Sequence, residues 1–343
     1  MMHSKINALI AALALLLGLS GCVTREFCYP IADGGADLRV VIDWRYVPEI
    51  DALITKAETE EGIPEVKVPR VMTVIFFPED GSQPIRYDLT DITGSTVRLK
   101  QGRYKVLTFN STSDRLQHGG SLFEDYRSYV ATKGNPFDVF KDSGMDPELL
   151  GLKYLTGMDR LYSDGIADPF MVEVLPAGET QVITLYPKAR NKEVRYVIHN
   201  VRNASHVAQI HVSVSGVTDR FYTGTNEKGE EEYAIQVTAD YTPYDIAMDP
   251  GTGDIEGEGM ILGDSDVIRE GDRYYLNIVV VMTDGSVFAY RYDVTEDFLR
   301  DREKVEIVIN IDELIFDTPL VNGKSGFPIT VDAFEEVIIP LPV

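Results

Sequence analysis

The run His118-Gly119-Gly120-Ser121 holds the residue types of an oxyanion loop, with two glycines that free their amides and a serine near a histidine. That chemistry needs a strand–turn–helix to present the serine, and the residues around Ser121 do not describe one. A glycine-rich turn feeding a helix capped by Ser121 is the simpler reading. His206 and His211 are five residues apart. On one strand they point to opposite faces, so they cannot hold one ion from a single sheet surface. Asp249, Asp254, Glu256 and Glu258 punctuate a glycine-rich stretch, 249–259, whose hard oxygens suit Ca²⁺, although the spacing fits no EF-hand loop. The chain has no G-x-S-x-G, H-E-x-x-H or G-x-x-x-x-G-K-[ST] pattern. Its 55 acidic residues single out no pair at a defined separation across a cleft. The expectation is a protein without catalytic residues, metal or cofactor.

The most specific signal lies at the N-terminus. Lys5 precedes an apolar run, Ile6 to Leu19, that is shorter than the roughly 20 residues a spanning helix needs. It fits the core of a secretory signal. Leu19-Ser20-Gly21-Cys22 follows, and this resembles a bacterial lipobox. The resemblance implies cleavage before Cys22 and acylation of its thiol, so that lipid at the mature N-terminus is the membrane link. Cys28 is the remaining cysteine, and with Cys22 carrying lipid no internal disulfide is available. Val23 offers no evident inner-membrane retention signal, so the outer membrane, with the protein exposed at the cell surface, is the expected location. A formal charge of −23 repels phosphate backbones and argues against nucleic-acid partners.

What must position any function is a set of strands. Leu38, Val40, Ile42 and Trp44 alternate with Arg39, Val41 and Asp43, the period of a half-buried strand with Trp44 in the core. Val71–Phe77 is apolar on both faces and reads as a central strand. Strands are expected also at 96–99, 103–110, 170–175, 180–186, 194–201, 208–217, 220–224, 232–239, 274–282, 287–294, 305–311 and 337–341. Asp284-Gly285 between two such runs signals a tight hairpin. Helix signals concentrate in 118–160, with Ser121 and Glu124 as a capping box and with Asn135-Pro136 and Asp146-Pro147 as cap-plus-proline starts. A second helical or loop insertion is expected over 49–69. The polar stretch 187–192 separates two strand-rich halves. The expected organisation is a signal peptide over 1–21, a tether over 22–36, one β-sandwich over 37–188 with a short helical insertion, and a second over 189–343. The fold class is all-β, with two tandem antiparallel sandwiches.

Four stretches in this order carry a family resemblance. They are Cys22 with Arg25–Pro30 followed by the strand Leu38–Trp44, Met72–Gly81, Leu99–Asn110 and the C-terminal run from Gly326 to Ile339. Together they resemble the fimbrillin-like lipoproteins of Bacteroidales, in a branch near the minor fimbrial anchor proteins. The resemblance implies transthyretin-like sandwich domains and a role in anchoring, capping or decorating fimbriae, with fimbrial subunits as partners by strand addition. It carries over one residue, Cys22, as the lipidation site. The alternative is a glycan-binding accessory lipoprotein of an outer-membrane uptake system, suggested by the 18 tyrosines.

Overall fold

The structure is a computed structural model that describes residues 35–56, 68–142, 145–176, 178–244, 251–263, 265 and 267–316. The signal peptide, Cys22, Cys28 and the expected strand at 337–341 lie outside the described residues.

The first sandwich opens with β1 (Gly35–Ile42), helix α1 (Pro48–Lys56), β2 (Met72–Pro78), β3 (Ile85–Leu89), β4 (Gly94–Lys100) and β5 (Gly102–Asn110). An insertion follows with β6 (Leu116–Gly119), β7 (Arg127–Val130), β8 (Thr132–Lys133), helix α2 (Pro147–Leu150) and β9 (Tyr154–Leu155). β10 (Tyr162–Val172), β11 (Gln181–Leu185) and β12 (Lys188–Ala189) complete the unit. One sheet runs β11-β1-β4 and the facing sheet β12-β10-β5-β2-β3. Between them Leu38, Val40 and Ile42 of β1 meet Met72, Val74 and Phe76 of β2. Trp44 closes this core at 2% exposure, and its indole nitrogen donates to the Ile92 carbonyl at 2.8 Å.

The second sandwich contains β13 (Asn191–Arg202), β14 (Val207–Val217), β15 (Arg220–Tyr222), β16 (Glu227–Lys228), β17 (Tyr233–Val237), β18 (Asp240–Pro243) and β19 (Gly253–Leu262). After these come β20 (Tyr275–Met282), β21 (Val287–Asp293), helix α3 (Thr295–Arg300), β22 (Glu306–Ile311) and β23 (Leu314–Ile315). Its sheets run β18-β19-β13-β22 and β21-β20-β14-β17-β9-β8. The two units share one topology. In each, the first strand lies between an antiparallel neighbour (β4 or β19) and a parallel last strand (β11 or β22). In each, the opposite sheet keeps the same order, β10-β5-β2-β3 or β21-β20-β14-β17.

The units differ where β5 turns into β10. The corresponding turn in the second unit, β20 to β21, is the Asp284-Gly285 hairpin. It is a three-residue loop rather than a two-residue one. Gly285 alone takes positive φ (83°), and Met282 bonds to Ser286 at 2.8 Å, the pattern of a type I turn with a G1 bulge. Asp284 accepts from the Ser286 amide at 2.9 Å, which holds the aspartate in that turn.

In the first unit the insertion takes the hairpin's place and reaches both sandwiches. β6 and β7 pair with β15 and β16 in a third sheet, whose inner face packs Leu116, Val130 and Phe221 onto Ile75, Phe77 and Phe109, the outer side of the β2-β5 sheet. The stretch from β8 to β9 extends the β14-β20 sheet and covers its outer face with Phe137, Phe140 and Leu149 against Val279 and Val281. β2 and β20 are therefore apolar on both sides because each is buried on both sides.

The capping box at Ser121 does not start a helix. Residues 121–125 form a turn, and Tyr129 and Val130 lie in β7. The Glu124 carboxylate bonds Lys105 instead of reaching back to the cap, and Asp125 takes the Leu122 amide at 2.7 Å. Strand partners then outweigh local propensity. The Asp146-Pro147 signal does hold: Asp146 accepts from the Glu148 amide at 2.9 Å at the start of α2. Asn135 serves the far end, donating to the Leu149 and Leu150 carbonyls, both at 2.9 Å.

Candidate functional site

The residues with catalytic or ligand-binding types are dispersed among structural roles. His118 sits in β6, stacked on Phe109 at 4.3 Å, with Nδ1 2.9 Å from the Ser128 hydroxyl. Burial, helped by nearby Arg86, pushes its pKa down to about 4, so the ring is neutral and part of a seam. Ser121 is exposed on the turn and does not meet it. His206 ends a 3-10 turn ahead of β14, while His211 lies within β14 beside Phe137, so the two do not share a strand. Burial alone pushes His211 to about 4 as well.

Asp249 lies outside the described residues, and the rest of the expected acidic loop from Gly253 onward is a strand. Residues 253–262 form β19, with Ile255 and Ile261 inward and Glu256 and Glu258 outward. Its glycines answer crowding rather than flexibility: a Cβ on Gly257 would lie 1.9 Å from the Thr238 carbonyl oxygen. Burial opposes the charge on Asp254, yet the Tyr244 hydroxyl, His199 and the Asn200 amide hold its carboxyl below the usual range. Among the described residues, no three His, Cys, Asp or Glu side chains converge as metal ligands. No helix among them is long and apolar enough to cross a membrane.

What the fold does present is a pair of corresponding edge strands treated in opposite ways. β22 pairs with β13 on one side. On its other side the Val308 amide donates to Asp301 at 3.1 Å, and the Val308 carbonyl accepts from Arg300 at 2.6 Å. The Asp301 side chain is fully buried and also binds Arg300 at 2.7 Å and Lys304 at 2.6 Å. Those donors, Arg300 foremost, hold its carboxyl far below the ordinary carboxylate range. α3 and its Arg300–Asp301 pair thus seal the edge.

β11 has no such cover. Leu185 points its carbonyl at β1, where it accepts from Asp43 at 2.9 Å, so Val182 and Thr184 turn their amides and carbonyls away. Those groups meet no partner among the described residues. Val182 is 56% exposed, and so in part is Met171, whose carbonyl accepts from the Gln181 side chain of β11 at 2.6 Å. The strand QVITL carries no charge. An uncharged open edge of this kind is a template for another strand. Sequence reading found β11 but could not find its open edge, because the seal on β22 comes from a helix that no capping signal announced.

Comparisons place the chain among known folds. A crystal structure provisionally described as an adhesin from Bacteroides ovatus matches with a TM-score of 0.60 at 17% identity, covering 88% of this chain and 99% of that one. Another provisionally described adhesin, from Bacteroides thetaiotaomicron, gives 0.49 at 12% identity, covering 82% and 91%. The fimbrial anchor protein Mfa2 from Porphyromonas gingivalis gives 0.48 at 13% identity, covering 82% and 90%. The first of these matches shows a shared fold, and the all-β sandwich expectation holds. No curated protein matches the chain in sequence. The model of a domain of unknown function, DUF5119, matches residues 61–238, more than half of the chain and including the whole insertion. The chain belongs to the DUF5119 family.

Proposed function

We propose that this protein is a lipid-anchored, fimbrillin-like subunit at the outer-membrane surface that accepts an extended strand of a fimbrial subunit along β11. The observation that carries the reading is the contrast of edges: β22 is closed by Arg300 and Asp301, while Val182 and Thr184 of β11 keep free backbone groups beside exposed apolar side chains. The fold shared with an adhesin-like Bacteroides structure supports a surface role. The lipobox-like run ending at Cys22 supports the anchor. The division into a tether over 22–36 and sandwiches over 37–188 and 189–343 is part of the same proposal.

The substitution Thr184→Pro tests the edge. Proline removes the free donor and is tolerated on an edge strand whose amide faces outward. The variant is expected to fold and reach the surface while losing most fimbria attachment, counted by electron microscopy of intact cells. Attachment at the wild-type level in Thr184→Pro cells would exclude β11 as the docking edge. The anchor is tested separately by intact mass of the mature protein. Fatty acyl mass on residue 22 is expected, and an unmodified Cys22 would remove the lipid link.

A further inference from the structure

The third sheet, built from strands of both halves, has an outer face used by nothing described so far. Its registers bring Gln117, Tyr129 and Arg220 into one row, and Gly119, Arg127, Tyr222 and Glu227 into the next. Paired residues, and residues two apart on a strand, project to the same side. The opposite side is the buried one, with Ser128 and Phe221 fully enclosed. Arg127, Tyr129, Arg220 and Tyr222 are each half-buried on this outer side.

Three features select a ligand. Arg127 lies over Tyr129, 5.8 Å from the ring centre, and no carboxylate reaches it among the described residues. Arg220, by contrast, is neutralised by a two-point contact with Asp219 at 2.9 and 2.8 Å. Arg127 is therefore an uncompensated cation in a chain of net charge −23. Next to it Gly119 leaves open space: a Cβ built there meets nothing within 4 Å. Finally, a sheet face keeps its backbone donors and acceptors in the plane of the strands, so it offers a peptide no ladder. It offers tyrosine faces, which suit the C–H face of a sugar ring, and one guanidinium, which suits a carboxylate.

We propose that the outer face of the β6-β7-β15-β16 sheet binds a uronic-acid-bearing oligosaccharide, with its carboxylate on Arg127 over Gly119 and its rings on Tyr129 and Tyr222. This rests on the surface-adhesion reading and names a ligand class for it, on a surface separate from β11. The net negative charge opposes a long acidic polymer at low salt. That repulsion is screened beyond about 8 Å at physiological ionic strength, whereas the contact at Arg127 is not.

The test is calorimetry of the full chain in mild detergent with oligosaccharides of polygalacturonate, alginate and hyaluronan, their methyl-esterified forms, and poly-glutamate. At least one uronate is expected to bind. Esterification, Arg127→Gln and the double change Tyr129→Ala/Tyr222→Ala are each expected to weaken it at least tenfold. Gly119→Val places a β-branched side chain in open space on a strand, so it should fold normally and abolish binding. Thr184→Pro should bind like wild type, which separates this site from strand docking. Absence of heat with every uronate, undiminished binding by Gly119→Val, or equal binding of poly-glutamate would each overturn the proposal and leave the fimbrial reading untouched.

Discussion

Lowering the pH from 7 to 5 is expected to remove about 4 kcal/mol of stability through two histidines, about 2 kcal/mol from each. His118 and His211 are held neutral by burial, with folded pKa values near 4 against an ordinary value of 6.5. Between those limits the unfolded chain binds more protons than the folded one. Stability is thus full above about pH 6.5 and falls as the pH drops toward 4, below which no further loss comes from these groups. Both rings lie at seams made by the insertion, His118 against Phe109 and His211 against Phe137. Urea midpoints at pH 7, 6 and 5 would measure the slope. The double variant His118→Phe/His211→Phe should start lower at pH 7, since Ser128 loses its imidazole partner, yet decline far less on acidification. Parallel declines in the variant and the wild type would refute the assignment.

Replacing Asp301 with alanine should cost about 3 kcal/mol, because charge-assisted hydrogen bonds to a buried carboxylate are among the strongest in a fold. Arg300 and Lys304 are more than half exposed and return to water, which keeps the loss below that of a fully buried pair. The Val308 amide and carbonyl are then left facing solvent. A second effect follows from that: the variant should self-associate with rising concentration, as light scattering would reveal, because β22 has become an open edge like β11. Asp301→Asn keeps the shape and should lose much of the same stability. The folded carboxyl titrates below its unfolded value, so this contribution is complete above about pH 4 and disappears only as the pH falls further. The aspartate and histidine effects therefore occupy adjoining pH windows and can be measured apart. A monomeric Asp301→Ala protein of unchanged stability would show that α3 does not guard the edge.

Much of the strand framework was legible. β1, β2, β5, β14 and β20 announce themselves by alternation or by apolar runs bounded by turn residues, and the hairpin at Asp284 by its dipeptide. What stayed hidden depends on partners distant in sequence. Ser121 and Glu124 have the local pattern of a helix start, but Lys105 claims the glutamate and β15 claims the residues that follow. β19 resembles a flexible acidic loop because its inward positions include Gly257, chosen for the close approach of Thr238 rather than for freedom. β3 and β6 are short and polar enough to pass as loop. The outward Arg and Tyr of β7 and β15 are only a patch once the register aligns them, and no spacing within either strand reveals that.

The parallel pairing of β1 with β11 has a mechanical meaning. If the proposed lipid tether and docked filament hold, the first would pull on the protein from the N-terminal side of β1 and the second along the neighbouring strand β11. Tension then runs parallel to the strands and across the registered stretch from Leu38 to Ile42 and Gln181 to Leu185. Hydrogen bonds loaded in shear yield together, whereas those at a peeled end yield singly, so this geometry suits a joint that must survive flow.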